Sequence, residues 1–433
     1  MPTPRDVLRL VTCGSVDDGK STLIGRLLLD TRSIVSDQVD AAERASAARG
    51  DERLDLALFT DGLRAEREQG ITIDIAYRHF STPRRRFIIA DAPGHAQYTR
   101  NMATGASTAD VAVILVDVRH GVVEQTSRHA AIVALLGVPR IVLCVNKMDL
   151  AGFSRAEFER RRDEFLAFAL GASPDGGPTI AERCAIECVP VAALEGDNIV
   201  GRSPRTPWHG GPSLLEALEA APAASADPAA PARFPIQWVI RPQRGGGADY
   251  RGYAGTLSAG TLAVGDEVLA LPSGLRSRIT AIHLGERGLA SARAPRSVAL
   301  TLADDLDIGR GETLVGVSGP PPTVAREVAA TLLWMSEAPL VTPARLLLKH
   351  ATRTVPAAVS AVERRLDIST MASAEAAGPL ALNEIARVSV RLGEPIVCDP
   401  YRACRDTGSF ILIDPRTNDT VAAGMIASAT PEG

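Results

Sequence analysis

Lysine is almost missing from this 433-residue chain: it stands only at Lys20, Lys147 and Lys349, and the other 44 of the 47 basic side chains are arginine. The scarcity reads as a compositional bias of the source genome. It leaves open why lysine survives at three places, because the two side chains are not interchangeable at tight sites. Cysteine is scarce too, with six scattered residues. Cys184 and Cys188, and Cys398 and Cys404, lie close in sequence, but no nearby histidine gives zinc-ligand spacing. Free thiols in a reducing cytoplasm are therefore expected. No apolar run approaches the roughly 18 residues of a membrane span, so no membrane partner is expected. The start, MPTPRDVLRLVTCG, has Asp6 and Arg9 inside its apolar stretch, which is unlike a secretory signal. Charge is nearly balanced, 47 basic against 51 acidic side chains for a net −4. That balance argues against a polybasic nucleic-acid coat, and no nucleic-acid partner is expected. Hydrophobic content of 45% excludes a disordered chain.

At about 150 residues per domain, the length suggests roughly three domains. Residues 1–218 alternate short apolar runs with helical patterns. VLRLVTC (7–13), RFIIADA (86–92), DVAVILVDV (110–118), RIVLCVNK (140–147) and CAIECVPVAAL (184–194) read as buried strands. This rhythm implies an α/β domain, doubly wound, with a mainly parallel sheet. Ser154 followed by Glu157 reads as a capping box, with Gly171 after the last turn of that helix. Arg160, Arg161 and Arg162 on the same helix read as a solvated face. Residues 219–233, rich in alanine and proline, read as a linker. Beyond it, short strands between glycine and proline turns predict two antiparallel β-barrel domains, at 234–319 and 324–428, divided at Pro320–Pro322.

The first strand runs directly into Gly14-Ser15-Val16-Asp17-Asp18-Gly19-Lys20-Ser21-Thr22 and then into the helical LIGRLLLD. G-x-x-x-x-G-K-S between a strand and a helix is a phosphate-binding P-loop. Its backbone N–H groups and helix N-terminus converge on one anion. Lys20 is expected to place a compact charge on the terminal phosphates, and the Ser21 hydroxyl can hold Mg²⁺. A second P-loop would need another lysine after G-x-x-x-x-G. Lys147 follows Asn146 and Lys349 follows Leu348, so there is one such site.

Asp91-Ala92-Pro93-Gly94 fits D-x-x-G, in which the aspartate holds Mg²⁺ through water and the glycine N–H meets the γ-phosphate. Asn146-Lys147-Met148-Asp149 ends another apolar strand. Asp149 can accept from the N1–H and 2-amino group of guanine, whereas adenine lacks the 2-amino donor and carries an acceptor at N1. A carboxylate facing adenine loses its partners, so discrimination is steep. The Lys147 stem can cover the base, and Asn146 can bond the purine and brace the P-loop. Thr72, in Gly70-Ile71-Thr72-Ile73, is a candidate ligand for Mg²⁺ and the γ-phosphate, which would order its loop with GTP. His95 follows Gly94 and is the candidate for orienting the attacking water. Two of the three lysines thus fall inside nucleotide motifs. Lys349 reads as a leftover surface residue, or else as a polar contact to a partner or to the first domain.

The P-loop, GITI, DAPGH and NKMD, followed by two β-barrels, resemble the translation-factor class of GTPases. The chain more closely resembles the large, GTP-binding subunits of bacterial sulfate adenylyltransferase. LRLVTCGSVDDGKSTLIGRLL, LFTDGLRAEREQGITIDIAYRHFST, DAPGHAQYTRNMATGAS, NKMDL, VAALEGDN, KHATRTVPA, LNEIARVSVRL and TNDTVAAGMI carry that resemblance over nearly the whole chain. It implies that ATP and sulfate form adenosine 5′-phosphosulfate and pyrophosphate on a smaller partner subunit, driven by GTP hydrolysis on this one. It also implies phosphate binding by Gly14 to Ser21 and by Asp91 to His95, and guanine recognition by Asn146, Lys147 and Asp149. Ala192-Ala193-Leu194 stands where relatives read serine-alanine-leucine; a backbone N–H there usually meets the base carbonyl. Ala96 stands where relatives often carry an acid. The other reading of the same motifs is an elongation-factor-type GTPase carrying aminoacyl-tRNA, with a free-standing GTPase as a third. YTRNMATGAS, RTVPAA and QGITIDIAYRHF favour the sulfate-activating family.

Overall fold

The computed structural model describes residues 7–49, 54–59, 74–95, 98–173, 177–223, 227, 229–241, 250–367, 373–375 and 378–431. The chain divides into two compact units, Met1–Ala224 with Leu366–Ser373, and Ser225–Arg365 with Ala374–Gly433.

The first unit is built on six strands: β1 Val7–Cys13, β2 Ala76–Ser81, β3 Arg86–Asp91, β4 Val111–Asp117, β5 Arg140–Asn146 and β6 Ala185–Pro190. They run in the order β2-β3-β1-β4-β5-β6. Every neighbouring pair is parallel except β2 with β3. The helices are α1 Lys20–Asp30, α2 Ser36–Arg49, α3 Thr99–Ser107, α4 Glu124–Leu135, α5 Arg155–Gly171, the short α6 Ile180–Arg183 and α7 Leu214–Ala220. β4 is buried at all seven positions, as a strand covered on both faces must be. Leu23, Ile24 and Leu27 of α1, with Leu214 and Leu218 of α7, pack on the sheet face formed by Leu8, Leu10, Phe87, Ile89, Val113 and Leu115. α3, α4 and α5 contact β1 and β3, β4, and β5.

Several sequence expectations need correction. β2 was not foreseen, because AYRHFS is an edge strand with one exposed face and no apolar run. The run CAIECVPVAAL forms a strand only as far as Pro190. Only half of the capping box exists. The Ser154 hydroxyl accepts from the Glu157 N–H at 3.4 Å, while the Ser154 N–H is already donated to the Ala151 carbonyl. Gly171 is the last helical residue rather than the one after it; Ala172 closes the helix. Arg160 and Arg162 pair with Glu157 and Asp163 at the surface, but Arg161 is buried. Helical periodicity places it between Phe158 and Phe165 on the inward face. The Ala/Pro stretch is shorter than expected, since α7 includes Ala220 and a buried Arg233 opens the next strand.

In the second unit, Arg233–Ile240, Gly252–Leu257, Arg296–Leu302, Arg276–Leu284, Glu267–Leu271 and Thr313–Gly316 follow one another in space, and the last pairs back to the first. A second cycle runs Thr323–Trp334, Ile385–Cys398, Arg353–Leu366, Ala344–His350, Ser409–Ile413 and Thr420–Pro431, and it too closes. Closure removes unpaired sheet edges, and each barrel encloses its own apolar cluster. One buried polar network joins the two barrels. Arg233 Nε and Nη2 donate to the two Asp399 carboxylate oxygens at 2.9 and 3.0 Å. Thr407 Oγ1 donates to the same carboxylate at 2.6 Å, and His350 Nε2 lies 2.8 Å from the Thr407 carbonyl oxygen. Lys349 is exposed on the strand Ala344–His350. All six cysteines are free, and no cluster of metal-ligating side chains occurs among the described residues. No described helix is long and apolar enough to cross a membrane.

Candidate functional site

β1, β3, β4 and β5 all end at one edge of the parallel sheet, where ligands of such folds bind. The P-loop leaves β1 there. Gly14, Asp17 and Gly19 have positive φ, at 154°, 67° and 91°. A Cβ at Gly19 would meet Asn146 Nδ2 at 2.5 Å, so only glycine fits both the turn and its neighbour. Asp18 turns its carboxylate inward to accept the Ser15 N–H at 2.6 Å. Burial raises its pKa, against that bond and against Lys20. Gly19 caps α1 with no side-chain bond, which leaves the helix's first turn uncapped by any side chain and suited to an anion.

Lys20 is buried, and its ammonium donates to the Gly14 and Ser15 carbonyls at 3.0 and 2.8 Å. Burial lowers its pKa, while Asp91 and Asp18 oppose the shift. Asp91, also buried, accepts from Thr12 Oγ1 at 3.0 Å. Gly94 packs so closely on Lys20 and on the Gly14 carbonyl that no Cβ fits. Val16, Asp17, Gly19, Lys20, Ser21, Thr22, Gly94, His95, Lys147 and Ala57 line an open cleft of about 440 Å³. His95 is exposed, with its ring edge-on to Tyr98 at 6.4 Å. Ala92 and Pro93, which precede it, are buried.

The second half of the site is laced to the first. Asn146 Nδ2 donates to the Asp18 carbonyl at 2.7 Å, and Asn146 Oδ1 accepts from the Ala193 N–H at 3.0 Å. One side chain therefore braces both the P-loop and the 192–194 loop. Ala192 is fully buried with its N–H turned to the Asp197 carbonyl, and Leu194 is exposed. Lys147 adopts a left-handed backbone conformation, φ 61°, and its ammonium reaches the Asp17 carbonyl. Met148 is buried, and Asp149 is half-buried on the short turn Met148–Ala151. Thr72 and Ala96 lie outside the described residues.

Sequence reasoning missed several groups here. His129 of α4 is fully buried and accepts the Gly14 N–H at its Nδ1, 3.2 Å away. Burial, then Lys20 and Arg128, push its pKa down to about 3, so the ring is neutral. Arg26 of α1 donates to the Ala193 and Leu194 carbonyls. Asp117, at the end of β4, is buried against Lys147 and Arg119. A carboxylate closing an otherwise apolar strand was the available signal for Asp117. His129 and Arg26 gave none, because their roles depend on helix placement.

Residues 5–223 match the elongation factor Tu GTP-binding domain family. Residues 327–427 match the GTP-eEF1A C-terminal domain-like family. The chain is similar to the bifunctional enzyme CysN/CysC of Mycobacterium tuberculosis, 50% identical over 421 residues that cover 97% of this chain and 67% of that protein. It is likewise similar to sulfate adenylyltransferase subunit 1 of Laribacter hongkongensis, 50% identical over 430 residues, covering 99% of this chain and 86% of the other. The corresponding protein of Alteromonas mediterranea is 48% identical over 425 residues, covering 98% and 87%.

Proposed function

This chain belongs to the sulfate adenylyltransferase subunit 1 family, a GTPase subunit of sulfate assimilation, and on that premise we propose that its GTP hydrolysis drives adenosine 5′-phosphosulfate formation on a partner. The partner is a smaller catalytic subunit, which binds ATP and sulfate and releases pyrophosphate. One observation carries the reading most: a single cleft lined by the P-loop, Gly94, His95 and Lys147, in a chain similar to these subunits over nearly its whole length. The domain arrangement we propose is a GTPase domain that ends with α7, a linker between Ala220 and Arg233, and two barrel domains divided at Pro320–Pro322.

In this reading Gly14 to Thr22 wrap the phosphates, with Lys20 on the terminal ones. Gly94 offers its N–H to the γ-phosphate, with Asp91, Ala92 and Pro93 setting its position. Asn146, Lys147, Met148 and Asp149 take the guanine base together with the 192–194 loop. The Ser21 hydroxyl and the Asp91 carboxylate are hard oxygen donors, a set that fits Mg²⁺ with phosphates and water completing its shell, and Thr72 is the third candidate. When bound, Mg²⁺ neutralises charge on the phosphate oxygens. His95, at the rim of the cleft, orients water toward the γ-phosphate.

Coupling follows from thermodynamics. Forming a phosphosulfate anhydride is uphill, and a catalyst alone cannot accumulate product. A subunit whose contacts with its partner differ between GTP and GDP states supplies the difference. The test is GTP turnover by the chain with its co-purified partner. Stimulation by ATP plus sulfate supports the proposal. Retention of aminoacyl-tRNA with GTP, and no response to sulfate, would favour the elongation-factor reading instead.

A further inference from the structure

The parallel register sets Asp117 beside Asn146, so the strand β4 delivers a carboxylate next to Lys147 at the ligand-binding edge of the sheet. Asp117 is 1% exposed, yet it is surrounded by cationic donors. Lys147 Nζ lies 3.0 Å from its Oδ2. Arg119 forks onto it, with Nε 3.0 Å from Oδ1 and Nη2 2.7 Å from Oδ2, while the Arg119 N–H donates to Oδ1 at 2.9 Å. The turn itself is held from α5. Arg161 donates through Nε to the Val118 carbonyl at 2.8 Å and through Nη2 to the Arg119 carbonyl at 2.7 Å. The Val118 N–H donates to the Asn146 carbonyl at 3.0 Å. Burial works to raise the Asp117 pKa, but the bonds from Arg119 and Lys147 outweigh it, so the carboxyl stays ionised.

These bonds form one continuous path: Arg161 fixes the turn, the turn and Arg119 fix Asp117, Asp117 fixes Lys147, and Lys147 reaches the P-loop carbonyl of Asp17. The path explains why a long cationic side chain keeps one direction from a left-handed backbone position, φ 61°. Two anchors, a carboxylate and a carbonyl, hold its ammonium, so its stem has little freedom left.

We infer that Asp117 is a positioning residue of the nucleotide site, holding Lys147 ready to cover the guanine base before nucleotide arrives. The inference rests on the reading of Lys147 as the base cover. Arg119 shares the carboxylate but reaches it from the same turn, so its bonds close that turn, whereas the Lys147 bond crosses to the neighbouring strand. Asp117→Asn keeps the shape and one acceptor oxygen for the turn and removes the charge that holds Lys147.

The experiment is a double-mutant cycle on the full chain with Asp117→Asn, Lys147→Met and the pair, read as the dissociation rate of a fluorescent GDP analogue. Each single change is expected to speed dissociation by about tenfold, the scale of a lost charge-assisted hydrogen bond. The pair should be no faster than Lys147→Met alone. Multiplying effects would overturn the positioning role, because Asp117 would then act on the nucleotide without Lys147. An unchanged rate in Lys147→Met would overturn the base-cover reading, and the inference with it. A purely structural role for Asp117 would instead speed dissociation equally in both backgrounds.

Discussion

Replacing Asp399 by alanine perturbs the buried ion pair that joins the two barrels. The side chains of Arg233 and Asp399 are 5% and 10% exposed. Removing the carboxylate leaves a guanidinium that cannot lose its proton and, among the described residues, has no other carboxylate within ion-pair distance. It also strands Thr407 Oγ1, whose bond to Asp399 is 2.6 Å. Breaking one partner of such a pair costs about 3–5 kcal/mol. With a urea m-value of ~2–3 kcal/mol/M, the unfolding midpoint should fall by roughly 1–2.5 M. Trp238 and Trp334 sit in the two barrels and Trp208 in the first unit, so fluorescence-monitored urea unfolding reports the affected unit. Asp399→Asn, which keeps the shape and an acceptor, should lose about half as much. The double change Arg233→Met with Asp399→Leu should recover most of the loss, since a well-packed apolar pair replaces an ionic one at little net cost. A midpoint shift below about 0.3 M for Asp399→Ala would refute the reasoning. So would a double variant as unstable as the single one.

Three further outcomes follow from the nucleotide site. Asp149→Asn should weaken GTP binding and admit xanthosine triphosphate, measured as competition between the two nucleotides; an unchanged guanine preference would remove Asp149 from the base pocket. His95→Ala should retain GTP affinity and slow hydrolysis; wild-type turnover in the presence of the partner would place water positioning elsewhere. His129 is held neutral down to about pH 3, whereas an unfolded histidine protonates near its usual 6.5. The unfolded chain therefore binds the extra proton between those values. Stability from this group is full above ~6.5 and is lost as pH falls toward 3, by up to about 1.4 kcal/mol per pH unit. Burial lowers the His350 pKa as well, so it adds in the same direction. Urea midpoints at pH 7 and pH 5 should differ less in His129→Asn than in the parent, and an identical pH dependence would contradict the buried neutral ring.

The first domain's motifs were legible because each is contiguous and each needs one backbone shape. The P-loop spacing requires glycine at the φ 91° position, and the structure has Gly19 there with Asn146 against it. Five of the six central strands could be read as apolar runs because both faces of a parallel sheet are covered. β2 escaped because its exposed face carries Tyr77 and His79. Arg161 escaped for the opposite reason: its neighbours in sequence are charged, and only the helical phase turns it inward to two backbone carbonyls. The lysine count drew attention to Lys20 and Lys147, yet it did not reveal Asp117, the partner that holds Lys147. Contacts of that kind come from strand register, which links Asp117 to Asn146 across a gap in sequence. Lys349, the third survivor, is exposed on its barrel strand.

The central claim is that GTP hydrolysis here changes how far sulfate activation proceeds. The direct measurement is the level of adenosine 5′-phosphosulfate reached with the co-purified partner, ATP and sulfate, in the presence of GTP or of a non-hydrolysable GTP analogue. Accumulation beyond the uncoupled equilibrium, in proportion to GTP consumed, is expected with GTP and not with the analogue. The same final level with both nucleotides would contradict it.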